Sequence, residues 1–344
     1  MNNTKNEDLL LNNYDYFLPP HLIATHPIYP KDEAKLLIYD RTKDDITHTK
    51  IKYINDFLPP CHIVFNDTKV IKARIYGHKA NQNKKIEVFY HHSIDDFTHL
   101  VQIKARVKLH DNIVFENDLK ATIIALKDDG TRIVSFYNKD KCINKAELLA
   151  YFETYGHVPL PPYIKRIDKA QDNIDYQSIF ANKLGAIAAP TASLHFTKAL
   201  INVLKSSHHI HTLTLHVGAG TFRPVVSENI KDHIMHKEYF SILPTLANII
   251  NSEARILAIG TTVARSIEYF HRTGISCGDN DIFLHPFNPP KRIDHLLTNF
   301  HLPKSSLIML VASMIGRKTT LKIYDIAIKN SYRFYSYGDA MLIL

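Results

Sequence analysis

The 344-residue chain has no tryptophan and only three cysteines, Cys61, Cys142 and Cys277. No two cysteines stand at metal-ligand spacing, and an odd number argues against a disulfide framework, so a reducing compartment suits them. The amino terminus lacks the basic-then-apolar pattern of a secretion signal. No apolar run is long enough to span a bilayer. A cytoplasmic monomer with no membrane partner is therefore expected. The common cofactor signatures are missing too: there is no G-x-G-x-x-G, G-x-x-x-x-G-K, H-E-x-x-H or C-x-x-C. That argues against a Rossmann methyltransferase, a P-loop enzyme and a zinc finger.

What is present looks like an ordinary globular chain, 45% hydrophobic and 22% charged. Its length suits one large domain or two ordinary ones, with a core that needs no staple. Residues 1–13 are polar and expected to fray. The formal net charge is +8. Between Lys291 and Arg333 eight basic residues face only Asp294 and Asp325, a net of +6. Such a segment suits a polyanion such as nucleic acid, although a solvated lysine-rich surface gives the same count.

The texture changes along the chain. Ile86–Tyr90, Leu100–Ile103, Thr122–Leu126 and Arg132–Phe136 are short runs of β-branched and aromatic residues. Turn residues such as Asp128-Asp129-Gly130 punctuate them, which predicts a small all-β barrel or sandwich. After Pro159-Leu160-Pro161-Pro162, strands and helices alternate. Phe196, Leu200, Val203 and Leu204 predict a helix over 193–205. Strands are expected over 211–217 and 255–259. A helix carrying Val263, Ile267 and Phe270 should stop at Gly274. Ser305-Ser306 can cap a helix over 307–315, and Thr319-Thr320 another over 321–330. The expected fold is a larger layered α/β domain, residues 1–72 and 157–344, with an inserted small all-β barrel domain, residues 73–156.

Five segments could carry chemistry. His216-Val217-Gly218-Ala219-Gly220-Thr221-Phe222 follows a predicted strand, and crevices at strand ends bind ligands in open α/β sheets. A tight turn uses the same glycines. Gly260-Thr261-Thr262 joins a strand to a helix start, which makes an anion site or an ordinary cap. His233-Ile234-Met235-His236-Lys237-Glu238 offers a metal-like trio, although proton handling or base stacking suits it better. Ala188 to Phe196 is rich in small residues that let a flat ligand sit near the backbone, or simply pack. Thr298 to Ser305 gathers an amide, an aromatic ring, an imidazole and an ammonium, which suits unstacked bases and phosphates, or a capped helix start.

Taken in order, these segments resemble one family. Asp15-Tyr16-Phe17-Leu18-Pro19, Leu36 to Arg41 and Phe65 to Arg74 come first. Gly156 to Ile164, Asp175-Tyr176-Gln177, Ala188 to Phe196, His216 to Phe222 and His233 to Glu238 follow. Gly260 to Arg265, Thr298 to Ser305 and Tyr332 to Met341 close the set. From near residue 14 to the C-terminus the chain resembles the S-adenosylmethionine:tRNA ribosyltransferase-isomerase family of queuosine biosynthesis. Phe287-Asn288-Pro289-Pro290 departs from the family's usual Pro-Gly turn, and Phe180 and Ser193 replace a tyrosine and a glycine.

The resemblance implies an α/β domain with an inserted β-barrel. It also implies transfer of the ribosyl part of S-adenosylmethionine to 7-aminomethyl-7-deazaguanine in a tRNA anticodon. The product is epoxyqueuosine, with adenine and methionine released and no metal needed. On that reading His216 or His195 is the base, with Asp339 a further catalytic candidate. Gly218, Gly220, Thr221 and Phe222 would cradle the adenosyl group. Thr261, Thr262 and Arg265 would hold the methionine carboxylate. Asn299, His301, Lys304, Arg333, Asp67 and Arg74 would face the tRNA or its base. Two rivals remain open here: a non-catalytic RNA-binding protein, and a metal-dependent hydrolase using His233, His236 and Glu238.

Overall fold

Runs such as Leu36–Tyr39, Ile63–Phe65, Ile256–Ile259 and Ala340–Ile343 have the continuous apolar character of strands buried on both faces. In the computed structural model, which describes residues 7–79, 84–222 and 224–344, they become neighbours in one sheet. The chain divides into two units. The first comprises residues 1–68, 177–183 and 189–344, and the second residues 69–176 and 184–188.

The strands of the first unit are β1 (Lys35–Asp40), β2 (Asp45–Lys50) and β3 (His62–Asn66), then, after the strands of the second unit, β13 (His209–Leu215), β14 (Glu238–Ser241), β15 (Ile256–Ile259), β16 (Cys277–Asn280), β17 (His295–Asn299) and β18 (Ala340–Ile343). They form a nine-stranded sheet in the order β16-β14-β13-β3-β15-β17-β18-β1-β2. The four central strands β13, β3, β15 and β17 are mutually parallel, so their carboxyl ends share one edge. Strand β18 runs antiparallel to β17, which brings Asp339, just before it, to that edge. On one face Leu36, Ile38, Ile63, Phe65, Leu257 and Leu297 pack with Leu200, Ile201 and Leu204 of the helix Lys198–Leu204. Alternate strand positions face the other way. The helix Thr261–Thr273 lies against β3, β13, β15 and β17.

The short strands β4 (Thr68–Val70), β11 (Lys141–Cys142) and β12 (Lys183–Ala186) complete the numbering. The second unit contains β5 (Arg74–Lys79), β6 (Ile86–Ser93), β7 (His99–Ile103), β8 (Asn112–Val114), β9 (Leu119–Leu126) and β10 (Thr131–Asn138). The last of these pairs with both the third and the fifth, which closes a six-stranded antiparallel barrel. Val88, Val101, Ile113, Ile123, Val134 and Phe136 are buried in it. The α/β fold with an all-β barrel is thus as expected. The second unit takes in more chain than 73–156, because His157 and Arg74 exchange backbone hydrogen bonds.

Several local expectations need correction. The helix expected over 193–205 starts at Lys198, where Thr197 accepts a hydrogen bond from the Leu200 N–H, and residues 191–195 form a separate 3-10 turn. The helix expected over 321–330 spans Arg317–Lys329. Gly316, at φ +79°, lets the chain turn within one residue, and Thr320 donates to the Gly316 carbonyl instead of capping. The helix Lys145–Tyr155 was not anticipated, although Asn144 and Glu147 form a capping box. Residues 7–13 are held, not frayed: Leu11 donates to the Glu228 carbonyl, and Arg317 pairs with Asp8 and Glu7. Residues 1–6 lie outside the described residues.

Candidate active site

Three groups of side chains meet the strand ends of the first unit. The first begins at Asn66, the last residue of β3. Its amide clamps β13, donating to the Leu215 carbonyl at 2.9 Å and accepting from the Leu215 N–H at 3.0 Å. It also accepts the Thr68 N–H at 3.1 Å, which turns the chain sharply. Thr68, fully buried, thereby sets its Oγ1 2.8 Å from His216 Nδ1. The ring of Tyr239 stacks near that imidazole with 17° between planes. The same hydroxyl reaches the Lys183 carbonyl at 3.5 Å. Either Nδ1–H or the hydroxyl donates in that 2.8 Å bond, according to the imidazole tautomer, and the Nδ1–H tautomer makes Nε2 the basic nitrogen. Asp67 binds inward, accepting from Thr214 Oγ1 at 2.6 Å. Asn66 and Thr68 were missed in the sequence; their signal was a polar Asn-Asp-Thr run ending an apolar strand.

The second group holds the glycine loop. Glu238 Oε1 accepts the Gly218 N–H at 3.0 Å, and Oε2 meets Arg265 Nη1 at 2.6 Å. Both side chains are buried. Burial pushes the Glu238 carboxyl up, but Arg265, His236 and the Gly218 N–H outweigh it and hold the group below the usual range. Arg265 Nε also donates to the Ile282 carbonyl at 3.1 Å, while its Nη2 is buried with no hydrogen-bond partner among the described residues. A Cβ on Gly220 would lie 2.3 Å from the His236 ring, so only glycine fits there. Thr221 closes the 3-10 turn Ala219–Phe222, and the side chain of Phe222 lies outside the described residues. Thr261 and Thr262 open the 13-residue helix after Gly260 (φ +90°), with Thr262 Oγ1 3.4 Å from Asn66 Nδ2.

The third group surrounds Asn299, the last residue of β17. Its Nδ2 lies 3.1 Å from His195 Nε2, and its Oδ1 accepts from Thr191 Oγ1 at 2.9 Å. An amide nitrogen only donates, so Nε2 of His195 accepts and Nδ1 carries the proton. Asp339 accepts the N–H groups of Lys35 and Arg333 at 3.0 and 2.8 Å, clasping the chain ahead of β18. His301 Nε2 lies 2.8 Å from Thr298 Oγ1.

Burial, then Arg333 and Lys31, holds His195 at about 3, and burial alone holds His301 at about 3, against 6.5 ordinarily. Both imidazoles are neutral in the fold, while the unfolded chain protonates them near 6.5. Stability should therefore fall as pH drops from 6.5 towards 3 and be insensitive to these two groups above 6.5. Thermal melting between about pH 7.5 and about pH 5 checks this. An unchanged midpoint would overturn it.

Arg74 belongs to the second unit, where it pairs with Glu87 at 3.4 Å. Lys304 bonds Asp15 at 2.8 Å. The basic segment as a whole is less free than its charge count suggests. Arg292 donates to the carbonyls of Ile249, Ile250, Ser252 and Ala254, Arg317 is buried against Asp8, and Lys329 pairs with Asp325. Lys291, Lys318 and Lys322 remain exposed. In the histidine segment, His236 leans on Glu238 at 3.3 Å, and both Glu238 oxygens are already occupied. Among the described residues no group of three or more His, Cys, Asp or Glu could hold a metal ion.

Comparison with known proteins agrees with this architecture. Residues 11–343 match the family described as queuosine biosynthesis protein. The chain is 55% identical over 342 residues to the S-adenosylmethionine:tRNA ribosyltransferase-isomerase of Campylobacter jejuni strain RM1221, covering 98% of this chain and all of the relative. It is 54% identical to the protein of that name from a Nitratiruptor species, covering 98% and 99%. Among solved structures it is similar to S-adenosylmethionine tRNA ribosyltransferase from Thermotoga maritima, with 30% identity, 96% and 100% coverage and a TM-score of 0.54. With a family match over residues 11–343 and relatives 55% and 54% identical along nearly their whole length, the chain belongs to the queuosine biosynthesis family of S-adenosylmethionine:tRNA ribosyltransferase-isomerases.

Proposed function

We propose that this protein transfers and isomerises the ribosyl moiety of S-adenosylmethionine onto 7-aminomethyl-7-deazaguanine at the tRNA wobble position. The products are epoxyqueuosine-tRNA, adenine and methionine. The observation that carries the reading is 55% identity, across the whole length of the relative, to a protein bearing that activity's name. The strand-end histidines supply chemistry that such a reaction needs.

The sulfonium acidifies the ribose carbon bonded to sulfur. His216 takes that proton, leaving a carbanion stabilised by the adjacent positive sulfur. Rearrangement of the ring breaks the bond to adenine, which leaves with a proton. The tRNA aminomethyl nitrogen attacks as a neutral amine and gives up a proton in turn, which balances the one adenine takes, and the proton held by His216 passes to solvent as the net proton released. The carbon–sulfur bond breaks as the epoxide closes, and its electron pair stays on the methionine sulfur. Gly218 and Gly220 let the backbone of the loop beside His216 come close to the adenosyl group. The N–H groups at the start of the helix Thr261–Thr273 are oriented for an anion. Of the residues expected to meet the tRNA, Lys304 is half-exposed beside Asp15, while Asn299 and His301 are buried and would act only from behind the surface.

Incubating the protein with carboxyl-labelled S-adenosylmethionine and tRNA bearing the aminomethyl base should release free methionine and adenine in equal amounts. Methylated tRNA without adenine release would overturn the reading. We further propose that residues 73–156 form an inserted domain and that the protein is a cytoplasmic monomer. Sedimentation equilibrium at twice the chain mass would refute the monomer. Among the described residues no helix is long and apolar enough to cross a membrane.

A further inference from the structure

Residues 16–31 form a strap whose one helical piece is the short 3-10 turn Pro20–Leu22, and Pro19, Pro20, Pro27 and Pro30 stiffen it. The strap is pinned along its length. Tyr16 Oη donates to the His301 carbonyl, and its ring meets Tyr324 edge-on at 5.3 Å. The Phe334 N–H donates to the Leu22 carbonyl at 2.8 Å, and the Ala24 N–H donates to the Phe334 carbonyl at 3.2 Å. Arg333 Nη1 donates to the His26 carbonyl at 3.3 Å. These anchors follow β17 or precede β18, so the strap borders the strand-end edge that holds Asn299, and Ile28 and Lys31 adjoin His195. On this support Phe17 is 81% exposed and Tyr29 57% exposed. An exposed ring raised on fixed backbone is a preformed contact, because little freedom is lost when a partner packs on it. From Tyr16 to Lys31 the strap has no Asp or Glu, and it exposes His21 and His26. Asp15, just before it, is paired with Lys304 at 2.8 Å. Aromatic rings interleaved with imidazoles and free of carboxylates suit single-stranded nucleic acid, since base faces stack on the rings and phosphates meet no like charge.

We propose that the strap is a base-stacking surface for unpaired nucleotides of the tRNA anticodon loop, with Phe17 as its main platform and Tyr29 as a second. The proposal rests on the functional reading above for the identity of the RNA, and it adds a contact to bases other than the one that reacts. Bases in such a loop are unpaired, so their faces are open to an aromatic ring. Stacking needs only a π-face, and the contact therefore adds affinity without selecting a sequence.

The test compares wild type with Phe17→Ala, Phe17→Leu, Phe17→Trp and Tyr29→Ala. Substrate tRNA is bound over a range of salt, and KM for S-adenosylmethionine, thermal melting and sedimentation are measured beside it. Phe17→Ala should weaken tRNA binding by about fivefold or more, the loss of one stacked base, and Tyr29→Ala should weaken it less. The slope of log affinity against log salt should not change, because a ring releases no counterions. KM for S-adenosylmethionine and the melting temperature should stay at wild-type values, since the side chain removed from Phe17 is exposed. Phe17→Trp should keep wild-type affinity, whereas Phe17→Leu, apolar but without a π-face, should behave like alanine. Wild-type affinity in Phe17→Ala or in Phe17→Leu would overturn the stacking surface. A wild-type dimer that Phe17→Ala splits would also overturn it, making the ring a contact between copies of the chain. A wild type that binds the tRNA through Phe17 but releases no methionine would overturn the functional reading and leave the surface standing.

Discussion

Replacing His216 with alanine is expected to lower ribosyl transfer by about 10²- to 10⁴-fold, the usual contribution of a positioned general base, with tRNA affinity near wild type. Position and protonation both point to this residue over His195. His216 follows the carboxyl end of β13, where the Thr68 hydroxyl fixes its Nδ1 at 2.8 Å. In the Nδ1–H tautomer that this contact accommodates, the lone pair is on Nε2. His195 is held at about 3, and its Nε2 is already occupied by the Asn299 amide. An imidazole that weakly basic is a poor acceptor for a carbon-bound proton near neutral pH, because the driving force for transfer follows basicity. Thr68→Val supplies the companion test, since it keeps shape and removes the hydroxyl. It should lower kcat by roughly tenfold, consistent with the loss of one orienting hydrogen bond, and shift the acid limb of the kcat profile. KM for S-adenosylmethionine should change little. Turnover by His216→Ala at the wild-type rate would remove His216 from the role and return it to His195.

Glu238→Ala is expected to destabilise the protein by about 3–5 kcal/mol, the range for removing one partner of a buried ion pair. The substitution leaves Arg265 charged and enclosed, and deprives the Gly218 N–H of its acceptor. Two consequences should therefore appear together: a lower urea midpoint, and weaker S-adenosylmethionine binding in the fraction still folded. The pair also has a pH signature. The carboxyl of Glu238 is held below its ordinary 4.5, so its stabilisation is complete above that value and is lost as pH falls through the lower folded value. Glu238→Leu combined with Arg265→Met should recover much of the lost stability, since an apolar pair of similar volume fills the space without a stranded charge. That double variant should still bind S-adenosylmethionine weakly, because no acceptor remains for Gly218. An unfolding free energy within about 1 kcal/mol of wild type for Glu238→Ala would show the pair to be dispensable.

Much of the architecture was legible beforehand because it is written in local pattern. The barrel strands showed as short β-branched runs between turn residues, and the helix over 261–273 showed in its apolar spacing and its terminal Gly274. Local pattern also misled where a cap residue had a rival. Thr319 and Thr320 read as helix starters, but Gly316 could adopt the positive φ that begins the helix at Arg317. Lys145–Tyr155 was overlooked because it buries little, Leu148 and Phe152 only, and so lacks a broad apolar stripe.

The candidate site divides in the same way. His216, Gly218, Gly220, Thr261, His195 and Asn299 were identifiable as polar or glycine residues at the ends of strands and starts of helices. Their partners were not. Glu238 and Arg265 are 27 residues apart, and nothing in that spacing says that a strand and a helix bring them to 2.6 Å. Arg333 read as a surface cation, yet its backbone N–H donates to Asp339 and its guanidinium lies in an ion pair with the same carboxylate.

Order along the chain was enough to determine the family, the α/β sheet with its barrel, and the strand-end loops in which chemistry should lie, because these depend on short-range pattern and on motif sequence. Only the tertiary structure decided which histidine is oriented by a hydroxyl, which is held neutral by burial, and which basic residues are already neutralised by a partner. Those properties are set by the dielectric and the charges around a side chain, and in this fold the surroundings come from segments far apart in the chain.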